Sequence, residues 1–387
     1  MMNYTKYRPY PTMDMPNRKW PGNTITKAPV WCSVDMRDGN QSLEIPMNLP
    51  EKLKFFQFLV DTGFKEIEIG FPAASDTEFE FARCLIDNNL IPDDVTVQVL
   101  TQSRPHIIHK TFEALKGAKK AIVHLYNSTS TLQRKVVFHM EMDGIIKIAT
   151  DAAKLIRELS EPVIAKGMNL RYEYSPESFS GTEMDNAALI CQKVIETIGA
   201  TPENKIILNL PATVERRPPY EFADMIESFC RSYTGRNETT LSVHTHNDQG
   251  CAVAAAEMAV LAGADRVEGT LAGHGERTGN MDLITFILNL KSRGVEPGLD
   301  FSKLPEIAAF IEEVSEIGIH PRAPYTGGLV FTAFSGTHQD AIRKGFEHRA
   351  EISDFFRQGW KIPYPHLDPA DLGRQYEKLI RINSQSG

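Results

Sequence analysis

Leu241-Ser242-Val243-His244-Thr245-His246 is a short run of strand-forming residues, followed by Asn247-Asp248-Gln249-Gly250 and then by the alanine-rich run from Cys251 to Ala262. The first segment favours an extended chain, Gly250 breaks it, and the alanine-rich run favours a helix. The stretch is therefore one strand, one polar turn and one helix. Side chains alternate between the faces of a strand, so His244 and His246 point the same way. Two imidazoles on one face are a ready pair of metal ligands, although H-x-H alone describes two unrelated surface histidines equally well.

The same unit recurs along the chain. Further strands are predicted at Val30–Asp35, Glu66–Phe71, Thr96–Leu100, Ala121–Tyr126, Asn169–Ser175, Lys205–Leu210 and Arg266–Leu271. Helices are predicted at Pro50–Asp61, Ser75–Asn88, Arg104–Leu115, Asp143–Leu159, Met184–Ile198 and Tyr220–Arg231, in addition to Cys251–Ala262. A strand followed by a helix, eight times over, describes an α/β chain folded as a (β/α)8 TIM barrel. An open doubly wound sheet shows the same alternation. The number of units, and a first turn without Gly-x-Gly-x-x-Gly, favour the closed form.

The flanks read differently. Residues 1–29 carry Pro9, Pro11, Pro16, Pro21 and Pro29, which suits an extended N-terminal arm, either a loosely held tail or an arm packed on a second subunit. The barrel is expected over 30–293. Arg293-Gly294-Val295-Glu296-Pro297-Gly298 then reads as a linker opening a mainly helical C-terminal subdomain over 294–387, with helices at Leu304–Ile317 and Thr337–Phe356.

Composition narrows the function. The 387 residues are 42% hydrophobic and 24% charged, as in ordinary globular proteins, and 42 Lys+Arg against 50 Asp+Glu leave a net charge of −8. That balance argues against a general nucleic-acid binder. Five scattered cysteines without a Cys-x-x-Cys pair suit reduced thiols in a cytoplasmic protein. There is neither an apolar signal core nor a membrane-length apolar run, so no membrane partner is expected.

In a barrel of this kind the chemistry lies at the C-terminal ends of the strands. The first strand ends in Asp35-Met36-Arg37-Asp38-Gly39-Asn40-Gln41, which brings Asp38 toward His244 and His246 as a third, oxygen ligand. The eighth runs into Gly273-His274-Gly275-Glu276-Arg277-Thr278-Gly279-Asn280, where the amide oxygen of Asn280 is a further donor. A mixed N/O set with open positions suits Zn²⁺, Mn²⁺ or Mg²⁺ and does not choose among them. Such a site chelates an oxygen-rich substrate and polarises its carbonyl, with Arg37 placed to stabilise the developing oxyanion. Arg37 could equally be paired with Glu177 or Glu276 to hold the loops.

Taken together, Asp35-x-Arg37-Asp38-Gly39-x-Gln41, His244-x-His246-Asn247-Asp248-x-Gly250 and Gly273-x-Gly275-Glu276-Arg277-x-Gly279-Asn280 resemble the metal-dependent acyl-CoA Claisen synthases. The likeness extends through Asn209-Leu210-Pro211-Ala212-Thr213 and Phe334-Ser335-Gly336-Thr337-His338 to Ile362-Pro363-Tyr364. It implies that acetyl-CoA condenses with 2-oxoisovalerate and that the thioester is then hydrolysed to 2-isopropylmalate and CoA. By the same resemblance Asp38, His244 and His246 match the metal ligands, Asn280 lies at or near the metal, and Arg37 faces the keto oxygen. Leu100, His124, Tyr126, Ser175, Glu177 and Thr213 fall where relatives line the 2-oxo acid pocket. His338 and Tyr364 match helper residues supplied by the neighbouring subunit, which implies a homodimer. A monovalent cation is an optional activator.

The catalytic base stays open between His338 and Glu276, because Glu276 could instead pair with Arg277. His274 stands where the family usually has asparagine or a small or apolar residue, and is either a fourth ligand or a supporting or solvent-facing side chain. Relatives continue past the position of Gly387 into a leucine-binding regulatory domain, so the chain is expected to be the catalytic part. The competing expectations are a sister synthase for another 2-oxo acid, such as citramalate or homocitrate synthase, and a silent binding protein. A lyase of the superfamily would carry a cysteine where this chain has Gly275-Glu276-Arg277-Thr278.

Overall fold

The computed structural model describes residue 6, residues 12–351 and residues 359–376. Eight parallel strands close into a barrel in sequence order: β1 (Val30–Ser33), β2 (Glu66–Gly70), β3 (Thr96–Gln102), β4 (Lys120–Ser128), β5 (Asn169–Glu177), β6 (Ile206–Ala212), β7 (Thr239–Thr245) and β8 (Arg266–Gly269). The ring shuts where Val30 to Ser33 register against Arg266 to Gly269. The helices between them are α1 (Leu49–Thr62), α2 (Asp76–Asp87), α3 (Pro105–Ala114), α4 (Met142–Ile164), α5 (Met184–Ile198), α6 (Pro219–Ser232) and α7 (Ala252–Leu261). The chain is a (β/α)8 TIM barrel.

Local chemistry explains the boundaries. Asn48 and Glu51 form a capping box at the start of α1, and Gly63 ends that helix with φ 109°, a left-handed conformation glycine adopts freely. Ser75 caps α2 through the Glu78 N–H.

Two kinds of side chain alternate along the strands. Ile67, Ile69, Val97, Val99, Val123, Leu125, Leu208, Leu210, Leu241 and Val243 are buried, each contributing about 1.5–3 kcal/mol of apolar burial. Their neighbours Glu66, Glu68, Gln98, His124, Glu173, Asn209, His244, Arg266 and Glu268 are equally buried, but they meet one another by hydrogen bonds across the ring. The barrel is thus filled by polar and charged groups where aliphatic layers are usual.

The chain divides into two compact units, Met1–Leu283 and Ile284–Gly387. In the first, residues 18–23 are clipped to the barrel's own helices. Arg18 pairs with Asp224 at 2.6 Å, Trp20 Nε1 donates to Asp224 at 2.9 Å, the Lys19 and Trp20 amides donate to Glu227, and Asn23 donates to the Leu261 carbonyl. In the second, α8 (Leu283–Ser292) begins at the boundary and is followed by α9 (Leu304–Ser315) and α10 (Gly336–His348). Ala333, Ile342 and Ile362 form a small core there, with Phe346, Trp360 and Tyr376 packed on it. The helix expected over Thr337–Phe356 gives way at Arg349–Glu351 to a tighter turn, and its remainder falls outside the described residues. No helix among the described residues is long and apolar enough to cross a membrane.

Candidate active site and metal centre

A five-residue turn, Asp35–Gly39, follows β1 and presents Arg37 and Asp38 at the C-terminal mouth of the barrel. Asp35 ties this turn down by accepting from Ser33 Oγ at 2.7 Å and from the Leu271 amide at 2.9 Å. The loop after β8 is laced to its neighbours in turn. Asn247 N–H donates to the Gly279 carbonyl, Met281 N–H to Thr245, and Asn280 N–H to Gly273. The ends of β1, β7 and β8 are therefore one connected surface.

On it, His244 Nε2 and His246 Nε2 lie 3.3 Å apart, and Asp38 Oδ2 lies 3.0 Å and 3.5 Å from them. One ligand atom from each of these three buried residues falls within 4.8 Å of the others. Among the described residues, Asp38 Oδ2, His246 Nδ1 and Asn280 Oδ1 are buried without a hydrogen-bond partner. Of these, Asp38 Oδ2 is the atom that faces both Nε2 nitrogens, and a buried carboxylate oxygen left unpartnered costs stability unless something satisfies it. Two imidazole nitrogens and a carboxylate oxygen fit a divalent cation.

The electrostatics suit the same reading. Burial favours the neutral form of Asp38, but Arg37, His244 and His246 outweigh it and hold the carboxyl well below the usual range. Burial also disfavours charge on His244, yet the carboxylates of Asp38 and Glu268 beside it raise it to about 9, while burial and the adjacent His244 pull His246 down to about 4. His246 is thus a neutral donor near neutral pH.

A cavity of about 240 Å³ opens above these groups, lined by Arg37, Asp38, Leu100, His124, Tyr126, Ser175, Glu177, Thr213, His244, His246 and Glu276 together with Gln41, Asn209, Pro211 and Arg277. The last four stand in the motifs of the sequence but were not assigned to the pocket from it. Asn280 is buried beside the cavity. His338 and Tyr364 belong to the second unit, where their rings stack with centroids 3.9 Å apart.

Two pairings left open in the sequence are resolved. Arg37 bonds to Glu68 at 2.5 Å and to Asp38 at 3.2 Å, rather than to Glu177 or Glu276. Arg277 pairs with Asp248 at 2.6 Å and donates to the Thr213 carbonyl, while Gln41 donates to Glu276 at 3.4 Å. His274 is outside the three-residue ligand group; its carbonyl accepts from Thr270 Oγ1 and from Asn280 Nδ2.

Beneath the cavity lies a layer that was not foreseen. Glu68 accepts from His124 Nδ1 at 2.7 Å, and His124 Nε2 lies 2.7 Å from Ser175 Oγ. His124, Glu173 and Glu268 also cluster closely enough to suggest a second cation site. His124 and Glu268, however, are already engaged with protein partners. Burial and the nearby Glu268 push Glu173 well above the usual carboxylate range, which marks it as a neutral acid.

Comparison with known proteins decides the family. Residues 28–311 match the HMGL-like family, and residues 328–387 match the alpha-isopropylmalate synthase post-catalytic domain-like family. The 2-isopropylmalate synthase of Clostridium acetobutylicum is 55% identical over 386 residues, covering 100% of this chain and 69% of that protein. That of Rhodospirillum rubrum is 54% identical over 382 residues, covering 99% and 68%. The chain belongs to the HMGL-like 2-isopropylmalate synthases. For this synthase family the barrel itself is matched by solved structures at lower identity. The HMG-CoA lyase from Bacillus subtilis superposes with a TM-score of 0.60 at 17% identity, covering 78% of this chain and 97% of that one. The hydroxymethylglutaryl-CoA lyase from Pseudomonas aeruginosa gives 0.61 at 18% identity, with 77% and 96% covered. These likenesses support the fold shared by synthase and lyase.

Proposed function

We propose that the chain condenses acetyl-CoA with 2-oxoisovalerate and hydrolyses the thioester to give 2-isopropylmalate and CoA. The observation that carries this reading is the convergence of Arg37 and the Asp38–His244–His246 group on one cavity whose wall includes the apolar Leu100. The identity of 52–55% to curated 2-isopropylmalate synthases supports the same activity.

Asp38, His244 and His246, with Asn280 Oδ1, would hold a Zn²⁺, Mn²⁺ or Mg²⁺ ion. When bound, that ion supplies Lewis-acid polarisation of the 2-oxo acid carbonyl. Arg37, fixed by Glu68, directs its guanidinium toward the keto oxygen and stabilises the charge that develops there. Leu100, His124, Tyr126, Ser175, Glu177 and Thr213 line the pocket for the 2-oxo acid, with Leu100, His124 and Ser175 favouring a branched aliphatic substrate.

A base takes a proton from the acetyl methyl group, and the resulting carbon attacks the keto carbon to form the new C–C bond. The keto oxygen takes up a proton and becomes the tertiary hydroxyl. Water then adds to the thioester carbonyl, the C–S bond breaks, and CoA leaves as the thiol. Glu276 lines the cavity and is one candidate base. The other is His338, which we place with Tyr364 on a neighbouring subunit of a homodimer. In support, Tyr364 is 59% exposed and its backbone adopts φ 77°, an unfavourable conformation for a bulky side chain. The five cysteines are free thiols, in keeping with a reducing, cytoplasmic setting.

The test is release of free CoA by purified protein supplied with a divalent metal. Thiol should appear only when a 2-oxo acid is present, and fastest with 2-oxoisovalerate. Equal rates with pyruvate or 2-oxoglutarate would overturn the assignment.

A further inference from the structure

Glu268 sits on β8 in register with His244 of the adjacent β7 and is fully buried. Its two oxygens meet four donors. Oε2 faces His244 Nδ1 and Asn209 Nδ2, both at 3.0 Å, and Oε1 faces Gln98 Nε2 at 3.0 Å and Arg266 Nη1 at 2.9 Å. A carboxylate with every side occupied by a donor has one orientation available.

We infer that Glu268 is a positioning residue that fixes the tautomer of His244 and couples the metal side of the pocket to its 2-oxo acid side. The inference rests on the metal-dependent reading above and extends it to a residue outside the cavity lining.

The directions of the hydrogen bonds make the case. An ionised carboxylate only accepts, so the Nδ1 that faces Glu268 keeps its proton, and Nε2, on the Asp38 and His246 side, is the nitrogen left to give up its own proton and present a lone pair when a cation binds. The same oxygen orients Asn209, whose amide nitrogen also donates to Ser175 Oγ at 3.1 Å. That leaves the Ser175 hydroxyl to donate to His124 Nε2, and His124 Nδ1–H to donate to Glu68. Gln98 closes the circuit by donating to Glu68 Oε1 and Glu268 Oε1, each at 3.0 Å. Arg266, fully buried and also bonded to Glu66 at 2.6 Å and to Gln98 at 2.7 Å, supplies the positive charge that lets Glu268 stay ionised.

The chemistry of glutamine makes Glu268→Gln a sharp probe. If its amide oxygen faces His244, its NH₂ confronts the donors of Gln98 and Arg266. In the flipped orientation the NH₂ faces His244 Nδ1 and moves the histidine proton to Nε2, blocking that nitrogen as a ligand. Either way, Mn²⁺ affinity of chelator-stripped protein, measured by calorimetry, should fall about 10- to 100-fold. Glu66→Gln removes another carboxylate from Arg266 without touching His244, and should lower the melting temperature while leaving Mn²⁺ affinity unchanged. Equal loss of affinity in both variants would mean a general disturbance of the barrel floor and would overturn the proposal. So would unchanged affinity in a folded Glu268→Gln protein, or a wild-type chain that takes up no metal.

If Glu268→Gln does not fold, Asn209→Ala tests the coupling without disturbing a buried charge. It should raise KM for the 2-oxo acid at least fivefold while changing Mn²⁺ affinity less than twofold; an unchanged KM counts against the coupling. The calorimetric arm needs no turnover, so failure of the proposed reaction would be seen separately from failure of this inference.

Discussion

His124 reaches across the barrel from β4 to Glu68 on β2, its Nδ1 lying 2.7 Å from Oε1. The other oxygen of that carboxylate holds Arg37 at 2.5 Å. One buried glutamate therefore anchors both a wall of the substrate cavity and the guanidinium assigned to the keto oxygen. Removing the imidazole by His124→Ala leaves the Ser175 hydroxyl and Glu68 short of a partner, at about 1–3 kcal/mol. KM for 2-oxoisovalerate should rise about 10- to 100-fold in steady-state kinetics, and an unaltered KM would remove His124 from the substrate pocket.

His246→Ala takes away one of the four proposed donors, leaving His244 Nε2 as the only imidazole beside Asp38 and Asn280 Oδ1. Turnover should fall to background, and metal analysis after dialysis should show protein depleted of bound cation. A variant that is active and metal-replete would disprove the ligand set.

Burial pushes the Asp35 carboxyl up to about 7, against hydrogen bonds from Ser33 and the Leu271 amide that favour its charged form. The folded-state value lies above the ordinary 3.8. The stabilising contribution is accordingly complete below that lower value and is lost as pH rises through about 7. Asp35→Asn cannot ionise, so the melting temperature of the variant minus that of wild type should grow between about pH 4 and pH 7 and level off above. The full change is on the order of 4 kcal/mol. A difference that does not vary with pH would contradict the buried-acid reading.

Gly279 has φ 95°, and a methyl group there would run into the Gly273 carbonyl. Its own carbonyl accepts from the Asn247 amide, so this residue joins the loops after β7 and β8. Gly279→Ala should lower stability by about 1–3 kcal/mol and cut turnover more than tenfold. Proteolysis should become faster within residues 270–280; an equally resistant loop would refute the argument.

Much of this was legible in the chain. The alternation of short apolar runs with amphipathic ones placed all eight strands to within two or three residues, because strand and helix periods are local properties. His244 and His246 were legible as a pair for the same reason. The floor of the barrel was not. Glu66-Ile67-Glu68-Ile69 passes for a simple apolar strand, although its period of two puts both acids on one face. What makes that face tolerable is Arg266 and Arg171, each 2.6 Å from Glu66 and contributed by strands far along the chain. Arg37 shows the same limit, since its partner Glu68 comes from the adjacent strand and not from the strand-end acids that looked available. Lys52 on α1 is likewise fully buried, against Glu78.

The charged interior also restricts how this enzyme type can change its diet. Glu66 and Glu268 share the buried Arg266, and Glu68 holds Arg37, so exchanging one of these charged residues alone unbalances charge in the dark of the barrel. Leu100, Tyr126 and Thr213 carry no charge and can be traded singly. A new 2-oxo acid would therefore be accommodated from the rim downward, while the layer under His244 is inherited whole or lost whole.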